Sequence, residues 1–260
     1  KWLHDNMNAE NLVVLDGTIN KVFETPTIQI PGSRFFDIKK KFSDVSNPFP
    51  NAFPTTEHFQ NEARKRGINT NSAIVVYDDK GIYSSARVWW LFKAFGYNNV
   101  AVLDGGLPAW LKAECPTESN INHVNKTGDF VAKLQPGFMQ FVDNLINASN
   151  DKTHEIIDAR SADRFNCVVD EPRAGLRSGT IPNSKNIPFT NLLNDGHLLK
   201  SKEELNDIFS EVISKNDEVI FSCGSGITAC ILALGAEISG YQNISVYDGS
   251  WTEWGSLVKE

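Results

Sequence analysis

The sequence predicts an α/β protein built from two tandem copies of one domain, each a parallel β-sheet flanked by helices. Three observations predict this: the length, the alternation of short apolar runs with helical patterns, and an internal duplication. With 260 residues the chain is too long for one small domain and suits two of roughly 120–130 residues. Its 41% hydrophobic and 22% charged content is enough to fill two cores. The apolar runs are continuous rather than alternating, as expected of strands buried on both faces of a parallel sheet.

Taken in order, Val13-Val14-Leu15-Asp16 opens the first copy and Ile156-Ile157-Asp158 the second. Ile30-Pro31-Gly32 then matches Ile181-Pro182-Asn183, with about nine extra residues between the two marks in the second copy, spanning Arg164 to Arg177. Helical patterns at 58–66 and 202–213 lead to strands at 73–77 and 218–222. Each strand meets a Gly-containing loop and an apolar helix (86–95 and 228–239), followed by Gly-Tyr. Strands at 100–103 and 244–247 end in Asp-Gly, and Trp110 and Trp254 close the copies. The domains are therefore expected at 1–111 and 137–260. The polar stretch 112–136, matching neither copy, is expected as the linker.

Composition excludes several functions. A net charge of −7 lacks the basic face that nucleic-acid binding needs. No apolar run reaches the roughly 18 residues of a membrane span. Cys115, Cys167, Cys223 and Cys230 lack Cys-x-x-Cys spacing, and the five histidines form no i, i+4 pair. No disulfide scaffold, metal or organic cofactor is expected, and a reducing, cytoplasmic setting fits.

In such sheets the ligand site lies beyond the carboxyl ends of the strands. That directs attention to Cys223-Gly224-Ser225-Gly226-Ile227-Thr228, between an apolar strand and an apolar helix. Two glycines let the backbone curl, and a curl feeding a helix N-terminus gathers N–H groups that favour an anion. A thiolate there is a competent nucleophile. Cys230, two helical turns on, reads as core. Aligning the copies puts Asp78 opposite Cys223. A carboxylate cannot carry sulfur, so the first copy is expected to be non-catalytic and to help wall the site.

The stretch from Cys223 to Cys230 resembles the active-site loop of 3-mercaptopyruvate sulfurtransferases, with Ile227 where that family usually has Val. Other marks agree across nearly the whole chain. They are Tyr83-Ser84-Ser85-Ala86-Arg87-Val88-Trp89-Trp90, Glu171-Pro172-Arg173, Gly179-Thr180-Ile181-Pro182 and Asp248-Gly249-Ser250-Trp251-Thr252-Glu253-Trp254. The resemblance implies two rhodanese-like domains, the second catalytic.

It further implies that Arg164 and Arg173, flanking the insertion, bind the carboxylate and carbonyl of a 2-oxo acid, for which a guanidinium fork is suited. The expected structural alternative is an ion pair such as Arg160 with Asp158 or Arg173 with Glu171. Tyr83 is expected as a contact from the first copy, and Gly224, Gly226, Ile227 and Thr228 as the amide cradle. One departure stands out. The family's acidic residue and histidine, proposed to work with the loop serine, are matched here by Lys39 and Asn51. Ser225 is then expected to act by hydrogen bonding alone, without a relay.

The expected chemistry moves sulfur from 3-mercaptopyruvate through a Cys223 persulfide to cyanide or a thiol acceptor such as thioredoxin or a small thiol. Because Gly224-Ser225-Gly226 carries no charge, a monoanionic donor is favoured over dianionic thiosulfate. The rivals are a thiosulfate:cyanide sulfurtransferase, a non-enzymatic sulfur carrier or binding module, and a cysteine phosphatase. The phosphatase loop needs an arginine where this chain has Ala229.

Overall fold

The fold is that of a computed structural model, which describes residues 1–23, 27–123 and 126–259. The chain forms two compact units. The first comprises 1–44 and 53–135, and the second 45–52 and 136–260.

In the first unit, β1 (Leu12–Asp16), β3 (Arg34–Phe35), β4 (Ala73–Tyr77) and β5 (Val100–Val102) make a four-stranded parallel sheet in the order β3-β1-β4-β5. The short strands β2 (Ile28–Gln29) and β6 (Glu118–Ser119) pair separately and antiparallel. Helices α1 (Trp2–Asp5), α2 (Thr56–Lys65), α3 (Ser85–Ala94) and α4 (Gly106–Lys112) accompany them. Thr55 caps α2 by accepting the His58 amide at 3.2 Å, which fixes where that helix starts. One core cluster holds Leu3, Val14, Ile30, Val75, Tyr77 and Trp110. Another is aromatic, with Phe59 edge-on to Phe92 and Phe130.

The stretch expected as a linker belongs largely to this unit. Glu118–Ser119 supplies a strand, and Phe130 is fully buried against Phe59 and Phe92. Its polar composition gave no sign of this, because the partners lie tens of residues away. Residues 124 and 125 of the stretch lie outside the described residues.

In the second unit, β7 (Met139–Gln140), β8 (Glu155–Asp158), β9 (Lys185–Asn186), β12 (Val219–Ser222) and β13 (Ile244–Tyr247) form a parallel sheet, order β7-β13-β12-β8-β9. A small antiparallel hairpin, β10 (Leu193–Asn194) with β11 (Leu198–Leu199), lies outside it. The helices are α5 (Val142–Asp151), α6 (Ala162–Phe165), α7 (Lys202–Ser210), α8 (Ala229–Ile238) and α9 (Ser250–Leu257). Leu145, Ile156, Ile181, Ile220, Tyr247, Trp251 and Trp254 share one core cluster. Each such side chain, fully buried, contributes about 1.5–3 kcal/mol.

The two sheets have one topology. Reading β3-β1-β4-β5 against β9-β8-β12-β13 matches strand for strand, and β7 has no counterpart among the described residues of the first copy. Register makes the match exact to the residue. Asp16 pairs with Tyr77 as Asp158 pairs with Ser222, and the next residues are Asp78 and Cys223. The bond from Gly17 N to Tyr77 O, 2.8 Å, recurs from Ala159 N to Ser222 O at 2.8 Å.

Candidate active site

Cys223 follows the last residue of β12, a strand whose residues are all buried. Six residues later α8 begins, so the loop has to turn sharply, and Gly226 supplies the turn at φ +74°. The thiol is free and its residue is only 1% exposed.

A second element pins the loop from β13. Ser250, the first residue of α9, sends Oγ to within 3.1 Å of both the Cys223 amide and the Gly226 amide, accepting from each. The single proton of the same hydroxyl has two acceptors in reach, Tyr247 O at 2.9 Å and Cys223 Sγ at 3.8 Å. The Trp251 amide donates to Cys223 O at 2.9 Å, and the Thr252 amide to Gly224 O at 3.0 Å. Gly226 was expected in the amide cradle, and its N–H is turned to Ser250. The amides of Gly224, Ser225, Ile227 and Thr228 have no protein acceptor among the described residues. Ile227 is 5% exposed, and a buried amide without a partner costs about 1–3 kcal/mol. A ligand able to accept several N–H bonds relieves that cost.

The first copy demonstrates what such a loop holds. Asp78 Oδ2 accepts the amides of Tyr83, Ser84 and Ser85 at 2.8, 3.0 and 2.8 Å, and Oδ1 that of Lys80 at 2.9 Å. The Leu107 amide donates to Asp78 O at 3.0 Å, the counterpart of Trp251 N to Cys223 O. At this position the fold wraps backbone donors around a negative group. In the first copy the chain supplies its own anion; in the second the position holds a sulfur.

Arg164, in α6, lies over the loop: a Cβ placed on Gly224 would come 3.1 Å from its Nη2. Glu171 aims it, with Oε2 accepting from Nη2 at 2.6 Å. Glu171 Oε1 also binds the fully buried Arg160 at 2.7 Å, and Arg160 reaches Asp158 at 2.8 Å. Burial opposes the charge on Arg160, but Asp158 and Glu171 outweigh it and hold the guanidinium protonated. The chain Asp158–Arg160–Glu171–Arg164 is therefore charge-neutral. Arg173, the residue of Glu171-Pro172-Arg173 expected to pair with Glu171 in the structural alternative, goes elsewhere. Its Nη1 donates to Thr252 Oγ1 at 2.8 Å, and that hydroxyl donates to Gly224 O at 2.5 Å. Arg173 is exposed and its polar partner is neutral, so its full charge remains.

Asn51, within segment 45–52 of the second unit, also reaches the loop. Its Nδ2 donates to Ser225 O at 3.0 Å and to Ser225 Oγ at 3.2 Å. Tyr83 lies in the first unit, in the loop that leads into α3, its ring under the Lys80 ammonium at 4.6 Å.

The rhodanese-like domain model matches residues 1–113 and 141–257, most of the chain and both copies. The chain belongs to the rhodanese-like domain family. Among its relatives, the mouse 3-mercaptopyruvate sulfurtransferase is 40% identical over 228 residues, covering 86% of this chain and 76% of that protein. Rat thiosulfate sulfurtransferase is 34% identical, covering 98% and 90%. The crystal structure of the Escherichia coli 3-mercaptopyruvate sulfotransferase SseA aligns with a TM-score of 0.85 at 34% identity, over 96% of each chain. The two rhodanese-like domains expected from the sequence are thus present, with the α/β architecture. Among the described residues no helix is long and apolar enough to cross a membrane.

Sequence reasoning missed Ser250 as part of this rhodanese-like site. A signal existed. Its counterpart in the first copy is Gly106, and both take φ +50°. A serine kept in a conformation that suits glycine has a side chain with a task. The neutral pairing of Arg164 through Glu171 was also not anticipated, although Glu171 stood in a quoted motif.

Proposed function

We propose that this rhodanese-like protein transfers sulfur from 3-mercaptopyruvate through a persulfide on Cys223, releasing pyruvate. The Cys223 thiolate attacks the thiol sulfur of the donor. The carbon–sulfur bond breaks, its electron pair leaves as the pyruvate enolate, and solvent protonates that carbon. The transferred sulfur remains as Cys223–S–SH. An acceptor thiolate or cyanide then attacks the outer sulfur, giving a new persulfide or thiocyanate and restoring the Cys223 thiolate.

The observation that carries this reading is the loop itself. Amides that in the first copy hold a carboxylate are left without protein partners around a cysteine. Gly224, Ser225, Ile227 and Thr228 offer those amides to the thiolate and the persulfide. Gly226 acts as the turn and is steadied by Ser250. Arg164 and Arg173 bind the donor's carboxylate and carbonyl, and the Ser225 hydroxyl donates to the developing enolate oxygen. With Arg164 balanced within its neutral chain, Arg173 contributes a single uncompensated charge, which suits a monoanion better than thiosulfate. Tyr83 is retained as a proposed substrate contact.

The acceptor we favour is thioredoxin or a small thiol, in a reducing cytoplasmic setting, to which four free cysteines lend support. The name of the rat relative keeps thiosulfate as the competing donor. The test is intact mass after brief exposure to 3-mercaptopyruvate. One added sulfur atom, absent in Cys223→Ser, is expected. No added mass, or a kcat/KM higher for thiosulfate than for 3-mercaptopyruvate, overturns the reading.

A further inference from the structure

We propose that Asn51 is a positioning residue that commits the Ser225 hydroxyl to donating toward the substrate, and so sets the rate at which pyruvate leaves. This rests on the sulfur-transfer reading above.

Asn51 is 7% exposed and sits at φ +61°, in the left-handed region that asparagine tolerates better than most residues. Its side chain faces two Ser225 atoms, the carbonyl oxygen at 3.0 Å and Oγ at 3.2 Å. A carbonyl oxygen only accepts, which decides the orientation of the amide: the NH2 group points at Ser225. One N–H holds the loop backbone and the other occupies a lone pair of the hydroxyl.

The consequence is chemical. Among the described residues the Ser225 proton has no protein acceptor. The amide cannot receive it, because a side-chain NH2 has no available basic site. Ser225 is therefore neither deprotonated nor turned away; it is polarised as a donor. Its carbonyl and Cys223 share the loop, so pinning Ser225 O also fixes where that donor points. The group it meets is the donor oxygen that becomes anionic as the carbon–sulfur bond breaks. A donor of that kind acts more strongly in the transition state than in the ground state, so it moves kcat rather than KM.

Two substitutions at Asn51 separate the possibilities. Asn51→Gly keeps the backbone conformation and removes the amide. Asn51→Asp keeps the shape but replaces a donor with an acceptor, which would capture the Ser225 proton. Rates of pyruvate release are measured for both, alone and combined with Ser225→Ala, with melting curves as the folding control. Asn51→Gly is expected to lower kcat about tenfold or more with KM within about threefold. Asn51→Asp should fall further. In the Ser225→Ala background, Asn51→Gly should cost less than about threefold more.

A kcat within about twofold of wild type for either single variant overturns the proposal. So does an undiminished loss in the Ser225→Ala background, which would make Asn51 a loop brace acting only through the backbone. An Asn51→Gly protein that melts early leaves Asn51→Asp, isosteric with the native residue, to decide. A wild-type protein that acquires no sulfur overturns the parent reading and this one together. Wild-type turnover with unaffected variants overturns this one alone.

Discussion

Replacing Ser250 by alanine tests the construction of the loop most directly. The substitution removes the oxygen that accepts from the Cys223 and Gly226 amides, both at 3.1 Å and both buried. Each orphaned donor costs about 1–3 kcal/mol, and sharing one local relaxation brings the pair to about 2–4 kcal/mol. Ser250 also holds φ +50°, a conformation that costs a residue with a Cβ roughly 1–2 kcal/mol. Alanine retains that cost and glycine removes it, so Ser250→Gly should be less destabilised than Ser250→Ala by about 1 kcal/mol. For a unit of this size each kcal/mol moves the melting temperature by roughly 3–4 °C. The transition of the second unit should therefore fall by roughly 6–16 °C in Ser250→Ala and by less in Ser250→Gly. Calorimetry is the assay, because two units need not melt as one and their transitions must be followed separately. Sulfur uptake should slow in both variants, since the Gly226 turn is no longer tied down. A Ser250→Ala protein within about 0.5 kcal/mol of wild type would refute the reasoning, as would a glycine variant less stable than the alanine one.

Two further outcomes follow from the charged clusters. Glu171→Gln removes the charge that pairs with Arg160 and Arg164 at 2.7 and 2.6 Å, leaving Asp158 as the carboxylate beside the fully buried Arg160. Urea unfolding should show a loss of about 3–5 kcal/mol, and KM for 3-mercaptopyruvate should rise as Arg164 swings free; an unchanged KM would count against Arg164 as aimed by Glu171. In the first unit, burial tends to raise the Glu118 carboxyl, but hydrogen bonds from His123, Gln29 and the Gly32 amide outweigh it and hold it below its usual range. A carboxyl depressed on folding contributes stability above its unfolded pKa and loses it as pH falls through the folded one. Glu118→Gln should therefore destabilise the first unit at pH 7 and converge with wild type in acid, by urea titration at both pH values; a gap that persists in acid would refute the assignment.

Much of the fold was legible because its central strands are continuous β-branched runs. The expected 73–77 and 244–247 coincide with β4 and β13, and 218–222 exceeds β12 by one residue. The edge strands β3, β7 and β9 are two residues each, too short to show any period. The stretch 112–136 misled because composition reports solvent exposure on average, whereas one strand pair and one buried phenylalanine decide where a segment packs. At the proposed site, the cysteine and its glycine turn are adjacent in sequence, so residue type and spacing pointed to them, whereas Arg164 and Arg173 were suggested only by the resemblance.

The proposed nucleophile, its loop and the duplicated α/β plan were written in local order, because strands, turns and helix starts are set by neighbours within a few residues. The partners of that loop were not. Ser250 reaches Cys223 across 27 positions, Asn51 reaches Ser225 across 174, and Glu171 selects Arg164 over its near neighbour Arg173. Such choices are made when strand order brings distant segments to one end of a sheet. There each buried donor must find the acceptor within 3 Å or so, and sequence separation no longer counts.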